Sequence, residues 1–235
     1  IWLSVVGRRS RSSQMRAGGS QVIPRPKNFR IIDHNPWLNL DTSALSSLEV
    51  VTQAVAAFQP DQALRQPLEN VRASAVLVGL FESARGVEAI LTRRSQNLTN
   101  HRGEISFPGG RLDAGESVLQ AALRETHEEI GLSPEDVEVV GELNSMATVV
   151  SNSHIVPIVG RYRTPPKLHA VNSEVDRVFS VPLLELVRAD TYSQEHWIFD
   201  DREFQINFFY LDDETIWGAT ARILFQVMML AIKHN

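Results

Sequence analysis

The sequence predicts an α/β fold, an α/β/α sandwich in which helices cover a mixed β-sheet. Segments rich in β-branched and aromatic residues lie before and after one strongly helical segment at 116–130, and an apolar helix pattern at 216–232 ends the chain. No regular βαβ spacing is visible, which favours a mixed sheet over a parallel one. With 235 residues, 43% of them hydrophobic, the chain can bury a sizeable core.

The N-terminal 32 residues are predicted to be a basic, disordered extension, and residues 33–235 a single domain. This extension holds seven basic residues and no acidic one, and glycine and serine interrupt any apolar pattern. Removal of residues 1–30 is therefore expected to leave stability and turnover nearly unchanged. An Arg-rich, acid-free N-terminus is also typical of an organellar transit peptide. The expected location is cytoplasmic, in line with the absence of cysteine, and organellar is the alternative.

Three helices are predicted in the domain. The first covers 41–58, where a polar cap precedes apolar residues at helical spacing and Pro60 ends the pattern. The second covers 116–130 and ends at Gly131, and the third covers 216–232. The predicted core stripe of the second helix is Leu119, Leu123, Thr126 and Ile130.

Strands are predicted where β-branched and aromatic residues cluster between turn signals. Segments 71–80 and 87–92 read as a hairpin, because the turn residues 83–86 separate them. The further predicted strands are 137–150, 155–163, 175–181, 197–199 and 204–210.

Composition excludes several classes of protein. The formal net charge of −5 does not suit a nucleic-acid binder, which needs a basic surface. No apolar segment has the length of a bilayer span, so no membrane partner is expected. The absence of cysteine excludes disulfides, thiolate catalysis and cysteine zinc sites. A small-molecule substrate is the expected partner.

An acidic face on the second predicted helix carries the chemistry. At about 100° per residue, Glu125, Glu128 and Glu129 fall on one side of this helix, where they repel one another. Arg124 can pair with Glu128 but cannot offset three acids. A hard divalent cation can, and carboxylate oxygens suit Mg²⁺ or Mn²⁺. The alternative interpretation is a solvated acidic helix surface.

The spacing of these residues resembles the Nudix box, G-x5-E-x7-R-E-U-x-E-E-x-G-U, over 110–132. The matching positions are Gly110, Glu116, Arg124, Glu125, Glu128, Glu129, Gly131 and Leu132. Thr126 departs from the box, which has a bulky aliphatic residue there. The resemblance implies a Nudix fold and a hydrolase of nucleoside diphosphate derivatives.

The preceding segment is similar to the signature of the coenzyme A pyrophosphatases, L-L-T-x-R-S-x3-R-x3-G-x3-F-P-G-G. The matching positions are Leu91, Thr92, Arg94, Ser95, Gly103, Phe107, Pro108, Gly109 and Gly110. Thr99 replaces the second arginine of this signature. In a later segment that also resembles this branch, Asn152 stands where glycine is usual.

The resemblance implies roles for particular residues. The implied metal ligands are Glu125, Glu129, Glu128 and the carbonyl of Gly109. The residues implied in the reaction are Glu125, Glu128, Arg124 and Glu174, although Glu174 could also be an exposed loop acid. The implied contacts to the anionic substrate are Arg94, Ser95, His101 and Arg102, and the alternative for each basic side chain is an ordinary surface charge.

The leading functional hypothesis is metal-dependent hydrolysis of coenzyme A or acyl-coenzyme A to 3′,5′-ADP and 4′-phosphopantetheine. Thr99 and Asn152 leave open a different diphosphate, such as ADP-ribose, a dinucleotide or a damaged nucleotide. A third hypothesis is a Nudix-fold ligand-binding module without catalysis, against which the intact glutamates argue. A homodimer is expected only from the habit of the family.

Overall fold

The computed structural model describes residues 15–32, 34–64, 71–148, 153–199 and 202–234, and it confirms the α/β architecture. The strands are β1 (Phe29–Ile32), β2 (Arg72–Ser83), β3 (Gly86–Arg94), β4 (Ile105–Ser106), β5 (Gly109–Arg111), β6 (Glu138–Glu142), β7 (Met146–Thr148), β8 (Ser153–Arg161), β9 (Val175–Pro182), β10 (Tyr192–Phe199), β11 (Arg202–Tyr210) and β12 (Thr215–Trp217). The helices are α1 (Leu48–Ala57), α2 (Val118–Ile130), α3 (Leu183–Leu186) and α4 (Gly218–His234), with 3-10 helices at Ser43–Ser46, Gln62–Leu64 and Pro134–Asp136.

Two sheets form the centre of the domain. The larger sheet has eight strands, in which β4, β3, β2, β8 and β6 lie side by side, while β5 pairs with β2, β7 with β8, and β9 with β3. It is mixed, because β2 and β8 run parallel whereas β2 and β3 form an antiparallel hairpin. The smaller sheet is antiparallel, in the order β1, β10, β11, β12.

The two faces of the larger sheet bury different helices. Because side chains alternate along a strand, Ala75 and Leu77 of β2 pack under α2, whereas Val78 and Leu80 belong to the main core. That core also contains the apolar faces of α1 and α4 and the buried side of the smaller sheet. The acidic helix α2 therefore lies on the face of the larger sheet opposite to α1 and α4.

Helix α2 begins and ends with well-formed caps. It starts at Val118, two residues later than expected, because Ser117 and Gln120 form a capping box. It ends at Gly131, whose φ of 71° is a left-handed conformation that glycine adopts without strain.

The core face of α2 differs from the expected stripe. Thr126 and Ile130 are buried as predicted, and Leu123 is partly buried, but Leu119 is 37% exposed and Ala121 and Ala122 are buried instead. The short alanine side chains allow the helix backbone to approach the sheet closely. Thr126 fits among them because its hydroxyl donates a hydrogen bond of 2.7 Å to the carbonyl of Ala122.

Other element boundaries also shift. The helix expected at 41–58 is divided into the 3-10 helix Ser43–Ser46 and α1, because Ser47 is extended and its side chain caps α1. The strand expected at 137–150 is divided into β6 and β7. The last helix begins at Gly218, since the residues just before it pair as β12.

The N-terminal segment 15–32 lies on the smaller sheet, which corrects the expectation of a disordered extension over 1–32. Its last residues form β1, which pairs antiparallel with β10, and the N–H of Gly18 donates to the carbonyl of Leu211 at 2.7 Å. Arg25 forms an ion pair with the buried carboxylate of Glu195. Backbone hydrogen bonds, arginine ion pairs and the apolar contacts of Met15, Ile23 and Phe29 attach the segment. Residues 1–14, where part of the transit-peptide interpretation falls, lie outside the described residues.

Among the described residues, no helix combines the length and the hydropathy that a membrane span requires.

Candidate active site

Three glutamates of α2 face the loop that precedes β9. Glu129 is the most buried of them, with 5% of its surface exposed, whereas Glu125 is partly buried and Glu128 is half exposed. The structure thus places the three carboxylates on α2, as the box spacing predicts, but gives each a different access to water.

Burial raises the pKa of two of these acids. Burial raises the pKa of Glu129 to about 7, an effect that the N–H of Gly109 and the charge of Arg94 partly offset. The negative charges of Glu125 and Glu174 raise it further. Burial also raises the pKa of Glu125, against the opposing influence of Arg124. An added positive charge would stabilise the ionised form of the buried Glu129 carboxylate.

Two glycines bring the backbone of β5 against these acids. The N–H of Gly109 donates to Oε2 of Glu129 at 3.2 Å. A Cβ at Gly109 would lie 2.3 Å from the carbonyl oxygen of Ala75, and one at Gly110 would lie 2.4 Å from the carboxylate of Glu125. Glycine at position 109 thus lets β5 pair closely with β2, and glycine at position 110 leaves room for the Glu125 carboxylate.

Arg124 is the main counter-charge of the acidic face. Its Nε donates to Glu116 at 2.8 Å, and its Nη1 lies 3.1 Å from Glu125 and 3.2 Å from Glu128. Its Nη2 also reaches the carbonyl of Arg111. These contacts tie the loop after β5 to the helix and hold two of the three acids.

Glu174 lies across from α2 in the loop that leads into β9. Its carboxylate is 57% exposed and lies 4.0 Å from Nη2 of Arg94, the last residue of β3. The same arginine lowers the pKa of Glu129 by its charge, so Arg94 stands between these two acids. The Arg94 side chain, a predicted substrate contact, thus lies at the edge of the acidic face.

The donor set suits a divalent cation in its chemistry. Carboxylate oxygens and a backbone carbonyl are the ligands of Mg²⁺ and Mn²⁺. As arranged, however, no group of three acidic or histidine side chains in the described part of the chain could hold a metal ion. Arg124 holds Glu125 and Glu128 at this point.

The remaining predicted substrate contacts lie in the loop after β3. Ser95 differs from the prediction, because it is 1% exposed and its hydroxyl accepts a hydrogen bond from the N–H of Asn97. Nδ1 of His101 pairs with Glu104 at 2.8 Å, and this bond raises the pKa of His101. Arg102 is exposed and lines a cleft of about 260 Å³ together with Arg93, Asp213 and Glu214, of which Arg93 and Glu214 form an ion pair. Arg102 is therefore the residue of this group most open to a ligand.

Asn172 is a site residue that the sequence analysis missed. Its side chain bonds both the carbonyl of Glu128 and the N–H of Glu174. Asparagine is a recognised turn residue, because its side-chain oxygen can accept a hydrogen bond from the backbone N–H two residues later. This signal was available in the sequence.

Comparisons with known proteins agree on one family. The model of the NUDIX domain matches residues 71–202. The chain is 35% identical to Nudix hydrolase 3 of Caenorhabditis elegans over 174 residues, which cover 67% of this chain and 72% of that protein. It is 36% identical to the uncharacterized Nudix hydrolase NudL of Citrobacter koseri over 158 residues, covering 66% of this chain and 80% of that protein.

A similar solved structure is that of a MutT/nudix family protein from Enterococcus faecalis. It has a TM-score of 0.44 and 17% identity, and the match covers 81% of this chain and 70% of that chain.

Proposed function

We propose that the substrate of this chain is coenzyme A or an acyl derivative. The chain belongs to the Nudix family and is therefore a hydrolase of pyrophosphate bonds. The products would be 3′,5′-ADP and 4′-phosphopantetheine. The observation that carries this proposal is where the coenzyme A-type signature lies. Its residues border the acidic face directly, with Arg94 beside Glu174 and Gly109 bonded to Glu129.

Nudix hydrolases generally need divalent metal ions. We propose that Glu125, Glu128, Glu129 and the carbonyl of Gly109 hold the ion, Mg²⁺ or Mn²⁺, which when bound stabilises the charge that develops on the phosphoryl oxygens. The desolvated carboxylate of Glu129 favours such a cation, since its pKa is raised to about 7 without one.

The other side chains position water and phosphate. Glu174, which is exposed and faces the acidic helix, accepts the proton of the attacking water in this proposal. Arg94 is close enough to orient Glu174 and to contact a phosphate that approaches it. Arg124 holds the loop of Glu116 against α2, which keeps the acids of the helix in place.

The main alternative keeps the chemistry and changes the substrate. Thr99, where the signature has an arginine, is exposed in the loop beside Arg102, so one expected phosphate contact is missing. ADP-ribose, a dinucleotide or a damaged nucleotide then remain candidates; Asn152, the other departure, lies outside the described residues. A panel of these diphosphates, assayed with Mg²⁺ and with Mn²⁺, separates the candidates. The homodimer and the cytoplasmic location stay predictions.

A charge-based test asks whether the 3′-phosphate of coenzyme A is recognised. A charge-assisted hydrogen bond of this kind contributes roughly 1.5–3 kcal/mol. Dephospho-coenzyme A lacks only this phosphate, so we expect its kcat/KM to be about 10- to 100-fold lower. Because Arg102 is exposed in the cleft whereas Arg94 faces Glu174, Arg102→Ala is expected to weaken coenzyme A cleavage by a similar factor.

The matched control is Arg163→Ala, which removes an exposed arginine with a side chain 87% accessible outside this cleft. Arg163→Ala should leave kcat/KM for both substrates unchanged. Arg102→Ala should not lower kcat/KM for dephospho-coenzyme A, because that substrate already lacks the phosphate that Arg102 would contact. Equal cleavage of the two substrates by the wild type would contradict 3′-phosphate recognition and favour another diphosphate.

A further inference from the structure

The loop that precedes β9 is fastened to the C-terminal turn of α2. The last carbonyls of a helix have no partner within the helix and must find one elsewhere. Here the N–H of Val171 donates to the carbonyl of Glu129 at 2.9 Å, and Nδ2 of Asn172 donates to the carbonyl of Glu128 at 3.1 Å. The loop therefore takes the place that water would otherwise have at the end of the acidic helix.

The same asparagine fixes the backbone of Glu174. Its Oδ1 accepts a hydrogen bond of 3.0 Å from the N–H of Glu174, so one amide side chain bridges the helix and the loop acid. On its other side, the carbonyl of Glu174 accepts from the N–H of Ser95 at 2.7 Å. Both backbone groups of Glu174 are thus held, although its side chain is largely exposed.

Glu174 needs such support because its surroundings repel it. It faces Glu125 and Glu129, and the described positive charge nearest its carboxylate is Arg94 at 4.0 Å. A weakly paired, exposed carboxylate beside two others gains by moving into solvent. A fixed backbone, together with Arg94, keeps it within reach of the acidic face.

We infer that Asn172 is a positioning residue, which holds Glu174 at the acidic face of α2 by bridging the Glu128 carbonyl and the Glu174 amide. The inference rests on the proposed part of Glu174 in the reaction. It explains why the loop acid and the helix acids, which are distant in sequence, share one site.

Asn172→Ala should remove both bonds and let Glu174 move. Small displacements of a reacting group lower the rate strongly, so we expect kcat to fall roughly 10- to 100-fold while KM changes less than about twofold. The matched control is Ser173→Ala, at an exposed neighbour in the same loop. It should retain wild-type kcat, and the urea midpoints of both variants should show that they fold.

A double-mutant cycle separates positioning from general support of the fold. If Asn172 acts through Glu174, Asn172→Ala should cost little further kcat in a Glu174→Gln background. Losses that simply multiply would overturn the inference, as would wild-type kcat for the single variant.

Hydrogen exchange in metal-free protein gives a readout that does not need activity. The amide of Glu174 should lose protection in Asn172→Ala, whereas it should keep protection in Ser173→Ala. Unchanged protection would show that the bridge does not hold the loop. A wild type that hydrolyses no diphosphate would instead overturn the proposed function, and the exchange result would still decide whether the bridge exists.

Discussion

Glu129→Gln is expected to lower hydrolysis at least about 100-fold while the protein stays folded. Loss of an outer partner of a metal ligand already costs roughly 10- to 100-fold in affinity or activity, and loss of the ligand itself should cost more. An amide oxygen can still accept the N–H of Gly109, so the local structure has no reason to open. The measurement is kcat/KM at saturating Mg²⁺, with circular dichroism to confirm the fold.

The matched control is Glu135→Gln, the same substitution at an exposed acid in the 3-10 helix beyond α2. It should retain wild-type turnover. Wild-type turnover by a folded Glu129→Gln protein would remove Glu129 from the proposed metal ligands.

The same substitution should change how stability depends on pH in metal-free protein. Because burial raises the pKa of Glu129 to about 7, the folded state binds this proton more tightly than the unfolded state does. The free energy of unfolding should therefore fall as pH rises from about 4.5 to 7, by up to about 3 kcal/mol from this group. In Glu129→Gln the free energy of unfolding should not show this part of the fall with rising pH, because the amide does not titrate. Urea unfolding in EDTA at pH 5 and pH 8 tests this, and equal pH dependence in both proteins would contradict the raised pKa.

The sequence predicted those parts of the site that depend on local spacing. The acids of α2 share one face because a helix repeats every 3.6 residues, and the glycines of β5 mark close approach of the backbone. Those rules need no knowledge of the rest of the chain. They failed for Leu119, because which face of the helix is buried depends on how closely the alanines allow the sheet to approach.

Contacts between residues that are distant in the sequence could not be predicted from local spacing. Arg94 and Glu174 are neighbours only because β3 pairs with β9, with a register shift just before Arg94. Ser95 matches a signature as well as Arg94 does, yet it is buried just after β3 ends. A motif shows which residues matter without showing which of them face the substrate.

The N-terminal segment was misjudged for a related reason, and Arg25 gives the sharpest test of its correction. Both Nε and Nη2 of Arg25 bond the carboxylate of Glu195, which is 1% exposed, and Nη2 also donates to the hydroxyl of Tyr210. Oε2 of Glu195, one of the two oxygens that Nε of Arg25 contacts, also accepts from the indole N–H of Trp197 at 2.7 Å. Composition alone shows a basic, acid-free segment, because the acids that pair with it come from the other end of the chain.

Arg25→Ala is therefore expected to lower the free energy of unfolding by about 3–5 kcal/mol, since it leaves a buried carboxylate without its counter-charge. The matched control is Arg30→Ala in the same segment, whose side chain is 61% exposed and pairs with the exposed Glu203. It should shift the urea midpoint far less, because exposed ion pairs contribute little. The double variant Arg25→Met/Glu195→Gln should recover much of the loss, because no charge then remains buried while the indole N–H keeps an acceptor. Equal midpoints for Arg25→Ala and Arg30→Ala would instead show that the segment does not dock on the smaller sheet, and removal of residues 1–30 would then be harmless.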